Sequence, residues 1–130
     1  MPNKSETVPN TRSTDLEWHL PGMKYCGPGT DLSLRLNEDR TPKPGWEPVD
    51  RVDESALRHD IFYTDHPSIR EREKVGDKRM IDELLSINNP TCKEYIERAI
   101  VVPILRFKRF VTLLFFNFLD RCLRRSMHVS

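Results

Sequence analysis

Residues 59–63 read His-Asp-Ile-Phe-Tyr. On a helix His59, Asp60 and Tyr63 share a face with Ala56, while Leu57, Ile61 and Phe62 cover another side. An imidazole titrates near neutral pH, so His59 is a candidate general base toward water. The carboxylate beside it, Asp60, suits a hard cation if further oxygen donors arrive from elsewhere in the chain. Tyr25-Cys26-Gly27-Pro28-Gly29 is a candidate source. Its glycines permit positive φ and its proline fixes φ, which gives the loop a preset shape. The pattern points to a calcium site beside a general base.

A second carboxylate lies downstream. Asp77 falls on the face of Ile81 and Leu84 in a segment of helical spacing, and a carboxylate on an apolar face is costly to bury unless paired. His59 is the obvious partner. Each residue also has a plainer reading: His59 as a hydrogen-bonded core histidine, Asp60 as a surface carboxylate, the glycine turn as a simple chain reversal. His19, His66 and His128 match no motif and are expected to be solvent-exposed, without a role.

The elements that must position these residues follow from the breakers. A helix is expected from Asp53, which suits an N-cap with Glu54 in the first turn, to a point before Pro67. A turn spans residues 65–70, and helical spacing returns over residues 71–87 with Met80, Ile81, Leu84 and Leu85. Asn88-Asn89-Pro90 ends it. A third helical segment begins at Thr91 or Cys92 and is expected to be interrupted at Pro103. Residues 32–53 read as a long exposed connection with a short helical turn at its start. Residues 1–15 are polar and aperiodic, too poor in apolar side chains to offset ordering entropy, and read as a disordered lead.

At 130 residues the chain suits a single core. A formal charge of +1 supplies no global field for nucleic acid. No charged segment followed by an apolar run opens the chain, so no cleaved secretory signal is expected. Cys26, Cys92 and Cys122 are odd in number and widely spaced, which disfavours a disulfide framework or a zinc site; free thiols, or one bridge, are expected.

The end of the chain has a different composition. Arg106, Lys108 and Arg109 precede an apolar run over residues 110–119, and Arg121, Arg124 and Arg125 follow. The run is well short of the ~20 residues that span a bilayer. Phe107, Phe110, Val111, Leu114, Phe118 and Cys122 form one stripe, widened by Leu113, Phe115 and Phe116. Two readings stand: a terminal core helix whose Arg stems snorkel at the domain edge, or a membrane-seeking or partner-binding helix.

Two spaced motifs occur in order. They are Leu20-Pro21-Gly22-x-x-Tyr25-x-Gly27-Pro28-Gly29 and Pro48-x-Asp50-x-x-Asp53-x-x-Ala56-x-x-His59-Asp60-x-x-Tyr63. Together they resemble the phospholipase A2 domain of parvovirus minor capsid proteins and related stand-alone viral and animal domains. The likeness covers about residues 20–87. It implies a mainly α fold: a phospholipase A2-like core of two antiparallel helices with a Gly-rich calcium loop, here followed by the hydrophobic, basic C-terminal helix. The organisation expected is a lead over residues 1–15, the domain over 16–98 and the tail over 99–130.

The same resemblance implies the roles. The carbonyls of Tyr25, Gly27 and Gly29 and the carboxylate of Asp60 would hold Ca2+. His59 would be the base, Asp77 would orient it, Tyr63 would hydrogen-bond Asp77, and the Gly27 N–H would serve the oxyanion. The implied activity is hydrolysis of the sn-2 ester of glycerophospholipids, for membrane breaching or remodelling. The alternative is a non-catalytic calcium- and lipid-binding or membrane-interaction module. The implied partner is a phospholipid membrane surface, in the context of a viral capsid or a larger parent protein, virion-associated or intracellular. Cys26 stands where secreted relatives have a bridged Cys, but Ser55 and Ala56 replace its partner, which leaves a buried free thiol.

Overall fold

The computed structural model describes residues 19–27 and 29–128. The expected disordered lead, with Leu16, Trp18 and the Pro28 of the glycine turn, lies outside them. In chain order come α1 (Leu32–Arg35), α2 (Arg51–Asp65), α3 (Ile69–Glu71), a π segment (Arg72–Asp77), α4 (Lys78–Leu85) and α5 (Cys92–Met127). Among the described residues there is no β-strand, only an isolated bridge between Leu36 and Pro42. The chain is mainly α.

α2 starts earlier than its sequence pattern suggests. Asp50, not Asp53, is the N-cap: its carboxylate accepts the Asp53 N–H at 2.9 Å and satisfies a first-turn donor. Arg51 then pairs with Glu94 at 2.7 Å and reaches the carbonyls of Asn88 and Asn89. Glu94 also closes the capping box with Thr91 that opens α5. The two helix starts are thereby tied together. The helix ends at His66, whose backbone N–H returns to Phe62 O, one residue before Pro67.

The segment expected as one helix over residues 71–87 is three pieces. The π segment wedges an extra residue into the turn, a device that a 3.6-residue period cannot reveal. Its end buries Gly76 and Asp77 against α2. Contacts run in opposite order along the two elements: Ser55 meets Glu83 at 2.7 Å, His59 meets Asp77 at 2.5 Å, and Phe62 meets Gly76. Gly76 is needed for that approach, because a Cβ there would lie 2.7 Å from Phe62 Cδ1.

Between these elements and α5 lies the core, built from Val52, Ala56 and Leu57 of α2, Met80, Ile81 and Leu84 of α4, and Val101, Val102 and Leu105 of α5. Val52 and Leu84 are fully buried, each worth roughly 1.5–3 kcal/mol. Met23, Tyr25 and Cys26 bring the glycine turn into the same cluster. All three cysteines are free thiols, Cys26 buried and the other two exposed.

One expectation about α5 is corrected, and one of two open readings falls away. Pro103 does not interrupt it: the helix runs on through the proline. Pro103 removes one backbone donor, and the packing of Val101, Val102 and Leu105 around it keeps the register. Nor is the Phe-rich half a core helix. After Leu105 the buried stripe stops, and Phe107, Phe110, Leu114, Phe115 and Phe118 are exposed. The boundary expected at residues 98 and 99 falls inside this helix.

The connection over residues 36–50 is exposed for most of its length but anchored. Tyr25 donates its hydroxyl to Trp46 O at 2.5 Å, Lys24 reaches Gly45 O and Glu47 O, and Arg40 pairs with Asp65. Arg35, in α1, is buried with its guanidinium 4.7 Å from the Trp46 ring.

Candidate active site

Asp53 governs where the glycine turn sits. Fully buried in the first turn of α2, its carboxylate accepts the backbone N–H groups of Lys24 at 3.1 Å, Tyr25 at 2.8 Å and Val49 at 3.2 Å. Charge-assisted bonds of this kind are the stronger class. They clamp the turn against the helix that carries His59 and Asp60. Gly29, in the left-handed region at φ +80°, then turns the chain where a side chain would be strained. Within the turn the Gly27 N–H donates to Tyr25 O at 3.1 Å, and the Thr30 hydroxyl donates to Gly27 O at 3.3 Å.

One to two turns further along α2 sits the imidazole. His59 Nε2 lies 2.5 Å from Asp77 Oδ1, and the Tyr63 hydroxyl donates to the same oxygen. Asp77 is fully buried. Burial pushes its carboxyl up, but the bonds from His59 and Tyr63 and the charge of Lys108 outweigh it, and the group lies below the usual range. As an ionised acceptor, Asp77 fixes the proton on Nε2 and leaves Nδ1 with its lone pair. Nδ1 is 3.7 Å from Asp60 Oδ1. Burial depresses the imidazole pKa, yet Asp60 and Asp77 together raise it above its ordinary value.

Asp60 is incompletely satisfied. Its Oδ2 is buried without a hydrogen-bond partner, and burial raises its carboxyl. Among the described residues no three His, Cys, Asp or Glu side chains cluster to hold a metal. Any ion at Asp60 would draw its remaining donors from backbone oxygens of the turn, a hard all-oxygen set that suits calcium and not zinc.

These groups open on a cavity of about 690 Å³. Gly27, Gly29, His59, Asp60 and Tyr63 line one side; Leu20, Met80, Ile100, Val101 and Ile104 make much of the remainder apolar. All seven residues singled out in the sequence, His59, Asp77, Tyr63, Asp60, Tyr25, Gly27 and Gly29, therefore belong to one neighbourhood.

Sequence reasoning passed over four contributors. Lys108, on α5, brings its ammonium 3.2 Å from Asp77 Oδ2, bonds the Tyr63 hydroxyl and lies over the Tyr63 ring. Its signal was present: it follows Val101 and Leu105 on their stripe, a charge on an apolar face. Arg72 stacks its guanidinium 5.5 Å from the Tyr63 ring. Asp53 was read as a cap. His19, expected in solvent, is half-buried with Nε2 3.1 Å from Thr30 Oγ1, at the rim of the cavity. His66 is also half-buried, stacked on Phe62.

Comparison with known families matches residues 16–108 to the model of a phospholipase A2-like domain. No curated protein and no solved structure matches the chain.

Proposed function

Because the chain belongs to the phospholipase A2-like domain family, we propose that it is a calcium-dependent phospholipase A2 that hydrolyses the sn-2 ester of glycerophospholipids. The observation that carries this reading is the pairing of His59 with buried Asp77 at the wall of an apolar cavity, with the unpartnered oxygen of Asp60 beside it. The reversed contact order of α2 and α4 and the clamped glycine turn support this reading, in which the two elements would form the antiparallel pair and the turn the calcium loop.

Asp60 and the carbonyls of Tyr25, Gly27 and Gly29 would hold calcium. When bound there it supplies Lewis-acid polarisation of the ester carbonyl and charge for the developing oxyanion. His59 Nδ1 takes a proton from water as the water oxygen attacks the sn-2 carbonyl carbon. Asp77 stabilises the imidazolium that results, and Tyr63 and Lys108 hold Asp77 in place. The imidazolium then returns its proton to the glycerol oxygen as the ester C–O bond breaks. A fatty acid and a lysophospholipid leave. The Gly27 N–H would serve the developing oxyanion.

A second reading is a calcium- and lipid-binding module without turnover. It is favoured by Lys108, whose ammonium beside Asp77 Oδ2 neutralises part of the charge that would otherwise stabilise an imidazolium at His59.

The deciding experiment is fatty-acid release from phosphatidylcholine vesicles labelled in the sn-2 chain, with calcium and with chelator. Calcium-dependent release that falls by about 10³-fold in His59→Ala supports the enzyme. Calcium binding without release from folded protein supports the module.

A further inference from the structure

We propose that the Phe-rich half of α5 is an in-plane anchor for an anionic phospholipid bilayer, laid so that the cavity opens onto the lipid. This deepens the proposed function by naming the surface on which it operates.

The stripe is continuous with the cavity. Ile104 lines the cavity, and Phe107, Val111, Leu114 and Phe118 follow it at alternating steps of three and four residues, on one side of the helix. None is covered: Phe107 is 69% exposed and Phe118 64%. Contiguous exposed aromatic and aliphatic side chains of this extent mark an interaction surface, not ordinary scatter. On its opposite side the helix is fastened to the core, with Arg109 Nε donating to Glu73 O at 3.0 Å and Arg70 lying over Phe116. The exposed stripe is therefore held facing outward.

Length decides between spanning and lying flat. From Phe107 to Phe118 the helix rises about 17 Å, against roughly 30 Å of hydrocarbon. Among the described residues no helix is long and apolar enough to cross a membrane.

Charge decides the occupant. With Lys108 engaged by Asp77 and Arg109 by Glu73 O, Arg106 at one end of the stripe and Arg121, Arg124 and Arg125 at the other remain, and the only acid among residues 106–125 is Asp120. A second copy of the helix would set basic end against basic end in either orientation. An anionic headgroup layer complements both ends at once while the Phe and Leu side chains enter the acyl boundary. Cations at the headgroups with aromatics below them is the arrangement expected of a helix lying in the interface.

The test is cosedimentation of the full chain with vesicles in chelator, where binding is read without turnover. Phosphatidylcholine vesicles containing a minority of phosphatidylglycerol are expected to bind about a hundredfold more tightly than phosphatidylcholine alone, with the difference collapsing at high salt. Phe107→Ser/Phe118→Ser, checked for fold by circular dichroism, is expected to lose at least about tenfold in affinity. Unaltered binding by that variant overturns the proposal, as does equal affinity for the two vesicle types. So does a concentration-dependent dimer of the parent chain, in sedimentation without lipid, that the double variant abolishes. Binding without hydrolysis supports the anchor and sinks the enzyme; hydrolysis with binding unaffected by the variant does the reverse.

Discussion

Lys108 Nζ lies 3.2 Å from Oδ2 of Asp77, on the far side of the carboxylate from His59. The buried charge of Asp77 is thus shared between a histidine of α2 and a lysine of α5, and the long helix takes part in the electrostatics of the site. Replacing Lys108 with Met leaves the second oxygen without a cation in a fully buried carboxylate. Since the lysine side chain is 39% exposed, the expected loss of stability is about 1–2 kcal/mol, below that for a fully buried pair. Urea denaturation of the variant checks it, with Lys108→Arg expected to recover part of the loss.

The Asp53 clamp makes a separate prediction. Asp53→Asn keeps the size of the side chain but removes the charge that three backbone N–H groups share. Calcium affinity, measured by isothermal titration, is expected to weaken by roughly 10–100-fold, the range seen when groups that orient ligands are lost. Retained affinity would show that the turn is shaped without it.

Acid stability should report on Glu94. The Arg51 guanidinium and the Thr91 N–H hold its carboxyl at about 2, below the ordinary glutamate value of 4.5. A depressed carboxylate stabilises the fold above its unfolded pKa and loses that contribution as pH falls toward the folded one. Stability should therefore drop between about pH 4.5 and pH 2, and Glu94→Gln should flatten that part of the profile. Denaturation midpoints across the window measure it.

Burial pushes the Cys26 thiol up to about 12, whereas Cys92 and Cys122 are exposed. Mild alkylation of the native chain should label Cys92 and Cys122 and spare Cys26 until denaturant is added. Peptide mass mapping reads the result.

Gly76→Ala would bring a Cβ within 2.7 Å of the Phe62 ring and 3.2 Å of the Tyr63 ring. The expected cost is about 1–3 kcal/mol, typical of overpacking. Adding Phe62→Leu should recover part of it in thermal denaturation.

Much of this neighbourhood is legible in the sequence because its signals are local. Asp77 is an acid on an apolar stripe and His59 lies on the face of a neighbouring helix, so a helical reading pairs those two, while the bond from Tyr63 to Asp77 is implied by the family resemblance. What stays hidden depends on long-range placement. Asp50 and Asp53 are both plausible caps by type and spacing, and only the position of the Lys24 and Tyr25 amides decides which one turns away to the loop. Lys108 is separated from Asp77 by a whole helix start. The exposure of the Phe-rich half was undecided for a similar reason: periodicity identifies an apolar face, but whether anything covers it depends on where the core ends.

The π segment has a consequence for chain length. It accommodates one residue more than an ordinary helix of the same rise. Deleting one position within residues 72–75 would relax the turn to an ordinary helix of the same rise, so the residues beyond would keep their orientation relative to Ile69. Asp77 would still face His59, whereas deleting a residue of α2 between Ser55 and His59 would swing the imidazole away by about 100°. Residues 36–49, on the surface, carry no comparable demand on phase. A panel of single-residue deletions should accordingly show tolerance at the π segment, which holds one residue in reserve, and sharp intolerance within α2, which holds none.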